Sequence, residues 1–234
     1  GSIHALVVQT PDQCIVVDTC VGNDKVRKNP DFHKLQSSFL DDLQTAGYAP
    51  AQIDRVLCTH LHIDHVGWNT VWREGRWQPT FANARYLFGR VEFEHWQSED
   101  HGALERLDVE AVMADSVQPV VDAGLVELVD TDQRIDPAVR LLPSPGHTPG
   151  HVSVLIESQG ESALISGDFL HHPCQIAHPE WHSTPDADVT RAIQTRQAML
   201  TRFADTPTLI IGTHFASPTA GRLVRDGDRL RFAT

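Results

Sequence analysis

The stretch Thr59-His60-Leu61-His62-Ile63-Asp64-His65 carries more information than any other part of this chain. It places four metal-ligand candidates within six residues, directly after the apolar run 53–58 (IDRVLC), which predicts a buried strand. Neutral imidazoles and a carboxylate are ligands that suit Zn²⁺, Fe²⁺, Mn²⁺ or Co²⁺. On a tight turn after a strand, ligands two residues apart can face one ion while the next two face another. The pattern therefore predicts a metal site.

Three later segments repeat this arrangement, in which an apolar run ends in a glycine and a ligand-type residue. They are Gly146-His147-Thr148-Pro149-Gly150-His151, Ser166-Gly167-Asp168 and Gly212-Thr213-His214. The apolar runs that precede them, 139–142, 163–165 and 208–211, predict strands. Because each ligand follows the end of a strand, we expect all of them at the same rim of a sheet.

These motifs, THLHIDH, GHTPGH, SGD and GTH, resemble those of the metallo-β-lactamase superfamily in type and order, over residues 59–214 of 234. The resemblance implies an α/β fold, a four-layer αββα sandwich that carries two metal ions at one edge between its sheets. It also implies seven ligands: His60, His62 and His147 for one ion, Asp64, His65 and His214 for the other, and Asp168 as the bridge. His151 lies outside this pattern, so we expect a supporting role for it.

The spacing of the motifs points to a subgroup. The long interval between His65 and His147 resembles that of the methyl parathion hydrolase-like group and exceeds that of compact lactonases. The segment 81–85 (FANAR) and the hairpin expected over 221–232 resemble the same group. The substrate does not follow from this similarity.

The implied ligand set predicts a hydrolase. Two divalent ions hold a bridging hydroxide as the nucleophile and polarise a carbonyl or phosphoryl oxygen of the substrate. We expect Asp64, through an oxygen not used for binding, to orient this nucleophile or to move a proton. Zn²⁺ is the first expectation for the two ions, with Fe, Mn or Co as alternatives, because sites built of histidine and aspartate accept several metals.

His171 is a predicted catalytic residue beside Asp64 and Asp168. Homoserine lactonases of this superfamily place a tyrosine three residues after the bridging aspartate, and here that position is His171. We expect its ring to face the site and to take over the role of donor to the substrate. The departure from tyrosine argues against acyl-homoserine lactones as the natural substrate.

The candidates for the substrate pocket are aromatic. They are Trp68, Trp96, Phe169, Trp181 and Phe215. Arg55 and Arg222, basic residues near the first and last metal motifs, are not adjacent to a ligand. An aromatic pocket over two cations favours an uncharged small molecule with an apolar arm, such as an aryl ester, a lactone or a phosphotriester.

Several other functions are weighed against this one. A thiolester hydrolase of the glyoxalase II type shares the ligand set, and a β-lactam hydrolase of the common dizinc type has a cysteine where Asp168 stands. A non-catalytic metal-binding protein is also compatible. The formal net charge of −12 disfavours nucleic-acid binding and RNA processing. The intact His62 disfavours a redox diiron protein.

Composition predicts one globular domain over residues 1–234, since 41% of the residues are hydrophobic. No apolar run is long enough to cross a membrane, and no signal peptide is visible, so a cytoplasmic location without membrane partners is expected. Gly1-Ser2 directly precedes a predicted strand, so we expect a natural N-terminal segment to be missing. A homodimer is left open.

Hydrophobic periodicity predicts alternating strands and helices. In the first half, we expect strands at 3–9, 14–18, 53–58, 85–88 and 126–129, helices at 32–46, 91–98 and 104–122, and a loop at 68–77. In the second half, we expect strands at 139–142, 152–157, 162–166 and 208–211, a helix at 186–202, and a hairpin that turns at Asp226-Gly227.

Overall fold

The computed structural model describes residues 1–98 and 108–234, and the chain divides into two compact units. Unit 1 comprises Gly1–Ile3, Gly89–His95 and Asp130–Thr234, and unit 2 comprises His4–Phe88 and Trp96–Val129. Each unit combines one large β-sheet with helices, which confirms the predicted α/β class. Within the described ranges, no helix has the length and apolar character needed to span a bilayer.

Apart from β4, β5 and β8, which were not predicted, the strands of the described residues fall close to their predicted positions. In chain order they are β1 (Leu6–Gln9), β2 (Cys14–Val17), β3 (Arg55–Leu57), β4 (Thr70–Arg73), β5 (Arg76–Pro79), β6 (Arg85–Gly89), β7 (Val126–Val129), β8 (Arg134–Asp136), β9 (Val139–Pro143), β10 (Val152–Ser158), β11 (Glu161–Ile165), β12 (Leu209–Ile211), β13 (Ala220–Asp226) and β14 (Arg229–Ala233).

The sheet of unit 2 has the order β1-β2-β3-β6-β7 among the described strands. Strand β2 is buried along its whole length, as expected for an apolar strand that is covered on both faces. Strands β2, β3 and β6 run parallel, with Val56 paired to both Val16 and Tyr86. Because β2 and β3 point the same way, Asp18 and Thr59, which follow them, come out at the same edge of the sheet.

A separate hairpin, β4–β5, corrects the prediction of a loop over 68–77. Its turn residues, Glu74 and Gly75, have φ values of 51° and 78°, as a two-residue hairpin turn requires. Trp72 and Trp77 are paired across the strands with ring centroids 5.1 Å apart. Most residues of this hairpin are exposed or half-buried, so the sequence lacks the apolar–polar alternation that would have indicated strands.

The helices of unit 2 required one correction. Helix α1 spans Phe39–Thr45, whereas the sequence predicted a helix from residue 32. The backbone N–H of Lys34 donates to the carbonyl of Lys25 at 2.7 Å, and Lys34 has a φ of 51°. A left-handed residue with this pairing cannot continue a helix, which is why the apolar spacing of residues 32–43 was misleading.

Helix α2 spans Arg90–Gln97 and confirms the predicted helix at 91–98. The next predicted helix, 104–122, lies partly outside the described residues. Its described part forms α3 (Val109–Val112), a π-helical turn (Met113–Val117) and α4 (Gln118–Asp122).

The π-helical turn carries Asp115, which is the centre of a buried charge cluster in unit 2. Asp115 forms a two-pronged ion pair with Arg27, with distances of 2.6 and 2.8 Å. The ammonium of Lys25, itself fully buried, lies 3.5 Å from the carboxylate and 2.6 Å from the hydroxyl of Thr70. The same nitrogen stands 3.6 Å above the ring of Trp77, in cation–π geometry.

The sheet of unit 1 has the order β14-β13-β12-β11-β10-β9-β8 among the described strands. Strand β11 pairs parallel with β12, and β9 and β11 both run antiparallel to β10. Strands β9, β11 and β12 therefore share one direction, and the segments that follow them come out at one edge of this sheet. These segments carry His147, Asp168 and His214, as the sequence predicted.

Unit 1 also contains α5 (Cys174–Ala177) and α6 (Val189–Phe203), besides most of α2. Asp188 caps α6 by accepting the backbone N–H of Arg191 at 2.9 Å. The buried face of α6 includes Met199, Leu200 and Phe203, which pack in the apolar cluster of this unit. Arg196 lies on the same face and is fully buried.

Candidate metal centre

The turn after β3 carries the ligand candidates of unit 2. His60, His62 and His65 are buried, and Asp64 is partly exposed. Nε2 of His60 lies 3.0 Å from Nδ1 of His62, so these two nitrogens face a common point. Two imidazole nitrogens that converge at this distance suit a shared cation.

Asp18 holds this turn in place. Its carboxylate accepts the backbone N–H of Thr59 at 2.8 Å and the Thr59 hydroxyl at 2.9 Å. It also lies 2.9 Å from Nδ1 of His65, while the Thr59 hydroxyl lies 3.0 Å from Nδ1 of His60. A carboxylate that accepts the Nδ1 proton leaves Nε2 of His65 with its lone pair, which is the arrangement that orients metal-binding histidines. The sequence marked Asp18 only as the end of a strand.

In unit 1, three imidazoles converge on one oxygen of Asp168. Nε2 of His147, His171 and His214 lies 3.4, 3.2 and 3.0 Å from Oδ2 of Asp168, respectively. The other carboxylate oxygen accepts the hydroxyl of Thr213 at 3.1 Å. His147, Asp168 and His171 alone form a group of ligand atoms within 4.8 Å of one another, close enough for one ion.

The opposite ring nitrogens of His147 and His214 also have partners. Nδ1 of His147 lies 2.9 Å from the carboxylate of Asp186, and Nδ1 of His214 lies 2.9 Å from the carbonyl oxygen of Ser2. A carbonyl oxygen can only accept, so Nδ1 of His214 carries the proton and Nε2 carries the lone pair. The backbone N–H of Ser2 donates back to the carbonyl of His214 at 3.0 Å.

His171 differs from these two rings. Its Nδ1 is buried and has no hydrogen-bond partner among the described residues. The ring stacks on His214 at a centroid distance of 5.6 Å and meets the edge of His147 at 4.9 Å. The side chain therefore points at Asp168, and the role of His171 as a donor to the substrate stays a prediction.

His151 supports the ligand Asp168 from behind. Its Nε2 accepts the backbone N–H of Asp168 at 2.8 Å, and its Nδ1 lies 2.8 Å from the hydroxyl of Ser144. Gly167, between the two, has a φ of 56°, and a Cβ at this position would lie 2.5 Å from Nε2 of His151. Only glycine therefore fits between His151 and the ligand loop.

Glu92 from α2 fixes the GHTPGH motif, a contact that no sequence pattern indicated. Its buried carboxylate accepts the Thr148 hydroxyl at 2.7 Å and the backbone N–H of Gly150 at 3.1 Å. A Cβ on Gly150 would lie 2.2 Å from the backbone nitrogen of Glu92. The close approach of the helix explains why glycine stands at position 150.

Asp186 and Arg196 are further residues that the sequence analysis missed. Burial raises the pKa of Asp186, and a hydrogen bond from the Ser183 N–H together with nearby positive charge opposes this rise. Burial lowers the pKa of Arg196, and the charge of Asp186 opposes this fall. Both residues stand in segments without a metal motif, so only the folded structure reveals them.

The predicted pocket aromatics have different surroundings. In unit 2, Trp68 is buried and stacks on Phe39 at 5.4 Å, and Trp96 is buried with its ring 5.4 Å from that of His62. In unit 1, Trp181 is 51% exposed and stacks on His178 at 4.3 Å. A substrate contact for Trp68, Trp96 or Trp181 stays a prediction.

Phe169 and Phe215 pack in the core of unit 1. Both are buried members of its apolar cluster, and Phe215 meets the edge of Phe232 at 5.2 Å. Each directly follows a proposed ligand in the sequence, and their contact with a substrate stays a prediction.

Both ligand sets fit divalent cations. The nitrogen and oxygen atoms are of the types that Zn²⁺, Fe²⁺, Mn²⁺ and Co²⁺ accept, and most of these side chains are buried. Hydrogen bonds at Nδ1 of His65, His147 and His214 direct Nε2 toward a potential ion.

Comparisons with known proteins agree with this chemistry. The family model of the metallo-beta-lactamase superfamily matches residues 1–229. An N-acyl homoserine lactonase of Bacillus sp is 30% identical over 123 residues, which cover 53% of this chain and 40% of that protein. A probable metallo-hydrolase of Mycobacterium tuberculosis, Rv2300c, is 26% identical over 72% of this chain and 57% of its own length. The matched part of this chain thus spans less than two thirds of either relative.

Two solved structures share the fold. The hydrolase AbOPH of the beta lactamase superfamily superposes with a TM-score of 0.83 at 26% identity, over 99% of this chain and 78% of that one. AidC, a dizinc quorum-quenching lactonase, superposes with a TM-score of 0.82 at 24% identity, over 98% and 78%. The predicted metallo-β-lactamase fold is confirmed. With a family model that matches nearly the whole chain and ligand motifs in the predicted order, this chain belongs to the metallo-beta-lactamase superfamily.

Proposed function

We propose that the chain is a metal-dependent hydrolase that acts with two divalent ions on a small neutral ester, lactone or phosphotriester. The proposed ligands are His60, His62, Asp64, His65, His147, Asp168 and His214, with Zn²⁺ as the first expectation for the metal and Fe, Mn or Co as alternatives. The observation that carries the proposal is the convergence of three imidazole nitrogens on Oδ2 of Asp168, at 3.0 to 3.4 Å. Neutral rings around a buried carboxylate leave a negative charge for a bound cation to compensate.

When bound, the ions supply Lewis acidity and lower the pKa of water toward neutrality, which are the two requirements of hydrolysis at pH 7. The protein supplies orientation. Asp18 fixes the His60–His65 turn, and Asp186 and the Ser2 carbonyl fix the rings of His147 and His214. The side chain of Asp64 is 17% exposed, and its proposed role is to orient the nucleophile or to move a proton.

His171 is the proposed donor to the substrate. Nε2 faces Asp168 at 3.2 Å, and Nδ1 has no hydrogen-bond partner among the described residues. Donation from Nδ1 to a carbonyl or leaving-group oxygen requires the ring to carry a proton on this nitrogen. We expect His171→Phe to lower kcat by about 100-fold, the usual size for loss of a donor to a developing oxyanion. An unchanged kcat in a variant that retains both ions would exclude this role.

The relatives favour a lactone among the neutral substrates. AidC is a lactonase, and the Bacillus relative is an N-acyl homoserine lactonase, although its match covers only 53% of this chain. The histidine at position 171, where homoserine lactonases have a tyrosine, still argues against acyl-homoserine lactones as the natural substrate of this chain. In this proposal, the substrate carries an apolar acyl or aryl arm, and Trp96 or Trp181 contacts that arm.

Elemental analysis tests the metals. Protein purified with sufficient metal is expected to carry close to two transition-metal ions per chain. One ion or fewer would contradict the two-ion proposal and favour a different class of metal protein.

A hydrolysis panel tests the substrate class. Lactones, aryl esters, phosphotriesters, thiolesters and β-lactams are compared by kcat/KM, together with paired neutral and anionic analogues. We expect the neutral member of each pair to be preferred. A clear preference for glutathione thiolesters, for β-lactams or for RNA would replace the proposed substrate class by that alternative.

Acidification tests the role of the imidazoles. Histidine ligands must be neutral to bind metal, so activity and ion content are expected to fall together as the pH drops through about 6–7. Chelators should abolish activity and added metal should restore it. Activity that survives in metal-free protein would refute a metal-dependent mechanism.

A further inference from the structure

Arg196 in α6 is a buried cation whose hydrogen bonds all go to one segment of unit 1. Its Nε donates to the carbonyl of Phe169 at 2.8 Å, and one terminal nitrogen donates to the carbonyls of Pro179 and Trp181 at 2.9 and 2.6 Å. The side chain is fully buried. Arginine presents its donors in a rigid planar fork, so these three carbonyls are held in a fixed relation to the helix.

The other end of the guanidinium faces Asp186. Its second terminal nitrogen lies 3.8 Å from Oδ2 of Asp186, and both side chains are completely buried. Oδ1 of the same carboxylate lies 2.9 Å from Nδ1 of His147, a proposed metal ligand. The backbone N–H of Ser183 also donates to Oδ2 of Asp186, at 2.9 Å. One arginine is thus linked to a ligand ring through a single carboxylate.

The segment that Arg196 holds, residues 169–186, directly follows Asp168 and contains His171 and Trp181. Apart from the short helix α5 it has no regular structure in the described chain, so no sheet ladder fixes its backbone. Gln175 adds to the same arrangement, because its amide accepts the N–H of His171 at 2.8 Å and donates to the carbonyl of Trp181 at 3.1 Å. Arg196 and Gln175 therefore converge on the carbonyl of Trp181.

We propose that Arg196 is a positioning residue that sets the ring of His147, through Asp186, and the segment 169–186 at the same time. Metal affinity and substrate binding are then coupled through one side chain that touches neither metal nor substrate. The part of this inference that concerns metal and substrate rests on the proposed function, whereas the hold on the segment does not.

The chain offers matched variants for a test. Arg196→Gln removes the fork, and Arg196→Lys keeps the charge with a single nitrogen. Asp186→Asn weakens the contacts of this carboxylate with Arg196 and His147 but leaves the hydrogen bonds of Arg196 to the three carbonyls. Arg191→Gln, an exposed position on the same helix, is the control. If Arg196→Gln does not fold, Arg196→Lys and Asp186→Asn carry the test.

Chelator competition on metal-loaded protein measures the first effect. Loss of the groups that orient a ligand histidine commonly costs about 10- to 100-fold in metal affinity. We expect a loss of this size for Arg196→Gln and Asp186→Asn, a smaller loss for Arg196→Lys and none for Arg191→Gln. The KM for the best substrate should rise in Arg196→Gln but stay near the wild-type value in Asp186→Asn.

Chymotrypsin measures the second effect in metal-free protein. Cleavage after Trp181, followed by mass spectrometry, should be at least about tenfold faster in Arg196→Gln than in wild type. Asp186→Asn should match the wild type, since the three carbonyl contacts remain.

The outcomes separate this inference from the proposed function. Wild-type protein that binds no ions or hydrolyses nothing contradicts the proposed function, while the chymotrypsin comparison still decides whether Arg196 holds the segment. A variant Arg196→Gln that loses only thermal stability, with unchanged metal affinity, KM and cleavage rate, shows a purely structural residue and overturns the inference.

Discussion

Asp115 in unit 2 and Asp168 in unit 1 are both buried carboxylates, but their neighbours differ in kind. Asp115 faces the guanidinium of Arg27 at 2.6 Å and the ammonium of Lys25 at 3.5 Å. Asp168 faces imidazole nitrogens at 3.0 to 3.4 Å. The pair with Arg27 is an ion pair between side chains of the protein itself, whereas histidine is mostly neutral at pH 7.

This difference separates a structural cluster from a ligand site. A carboxylate compensated by arginine has no need of a metal, since its charge is already balanced and its lone pairs are used. A carboxylate surrounded by imidazoles, such as Asp168, is of the type that a bound divalent ion would complete. Burial and hydrogen bonding are alike in the two places, so the charge type of the neighbours is the distinguishing feature.

The largest expected effect comes from Asp168→Ala. We expect the variant to lose at least one ion and to lower kcat by more than about 100-fold, because a bridging ligand and its charge disappear. Metal analysis and kinetics check both. His151→Ala is the control and should retain both ions under metal-replete conditions. If Asp168→Ala kept two ions, Asp168 would not be a metal ligand and would not differ from Asp115 in this respect.

Asp115→Ala should act on stability instead. Removal of the carboxylate leaves the buried guanidinium of Arg27 without its partner, which typically costs about 3–5 kcal/mol of unfolding free energy. Urea denaturation of metal-free protein measures this loss. The exposed Asp122 provides the control Asp122→Ala, which should stay within about 0.5 kcal/mol of wild type. If Asp115→Ala lowered the free energy of unfolding as little as Asp122→Ala does, the charge cluster would not contribute to stability.

Lys25 gives the cluster a pH dependence of definite sign. Burial lowers the pKa of Lys25 from 10.5 to about 7, although Asp115 opposes the shift. Between these values the unfolded chain holds the proton and the folded chain does not, so stability should rise as the pH rises from about 7 to about 10. The free energy of unfolding of wild type relative to Lys25→Met isolates this contribution. A relative stability that does not change over this range would show that the ammonium stays charged in the fold.

The smallest expected effect concerns the tryptophan pair of the hairpin. Trp77 lies 3.6 Å from the Lys25 ammonium, whereas Trp72 is 49% exposed. Trp77→Leu should cost about 0.5–2 kcal/mol through loss of the cation–π contact. Trp72→Leu should cost less than about 0.5 kcal/mol. Equal losses at pH 6, where Lys25 is charged, would argue against this contact.

The sequence predicted where the candidate ligands come together, because they follow strand ends in short motifs. His60 and His62 lie on one turn, and His147, Asp168 and His214 follow strands of one direction, so local order translates directly into spatial order. The same applies to the apolar strands, whose buried runs are readable from composition alone. The substrate contacts were predicted less well, since an aromatic residue beside a ligand can equally enter the core, as Phe215 does.

The residues that position the candidate ligands could not be predicted from the sequence in the same way. Asp186 is separated from His147 by a long stretch of chain, and Arg196 is one arginine on an amphipathic helix. Nothing in the local pattern distinguishes Arg196 from the exposed Arg191 or Arg202. Such contacts depend on tertiary packing, which periodicity does not encode. The same limit explains the missed hairpin at β4–β5, where strand pairing takes place without a buried face.

The hydrogen bonds between Ser2 and His214 join residues 212 positions apart in sequence. Ser2 leaves the ribosome long before His214, so the ring of this proposed ligand is oriented only after the intervening residues have been synthesised. Loop closure over such a separation carries a large entropic cost that must be met before the contact forms. A change that displaces Ser2 would act on His214 at a distance along the chain that no local motif suggests.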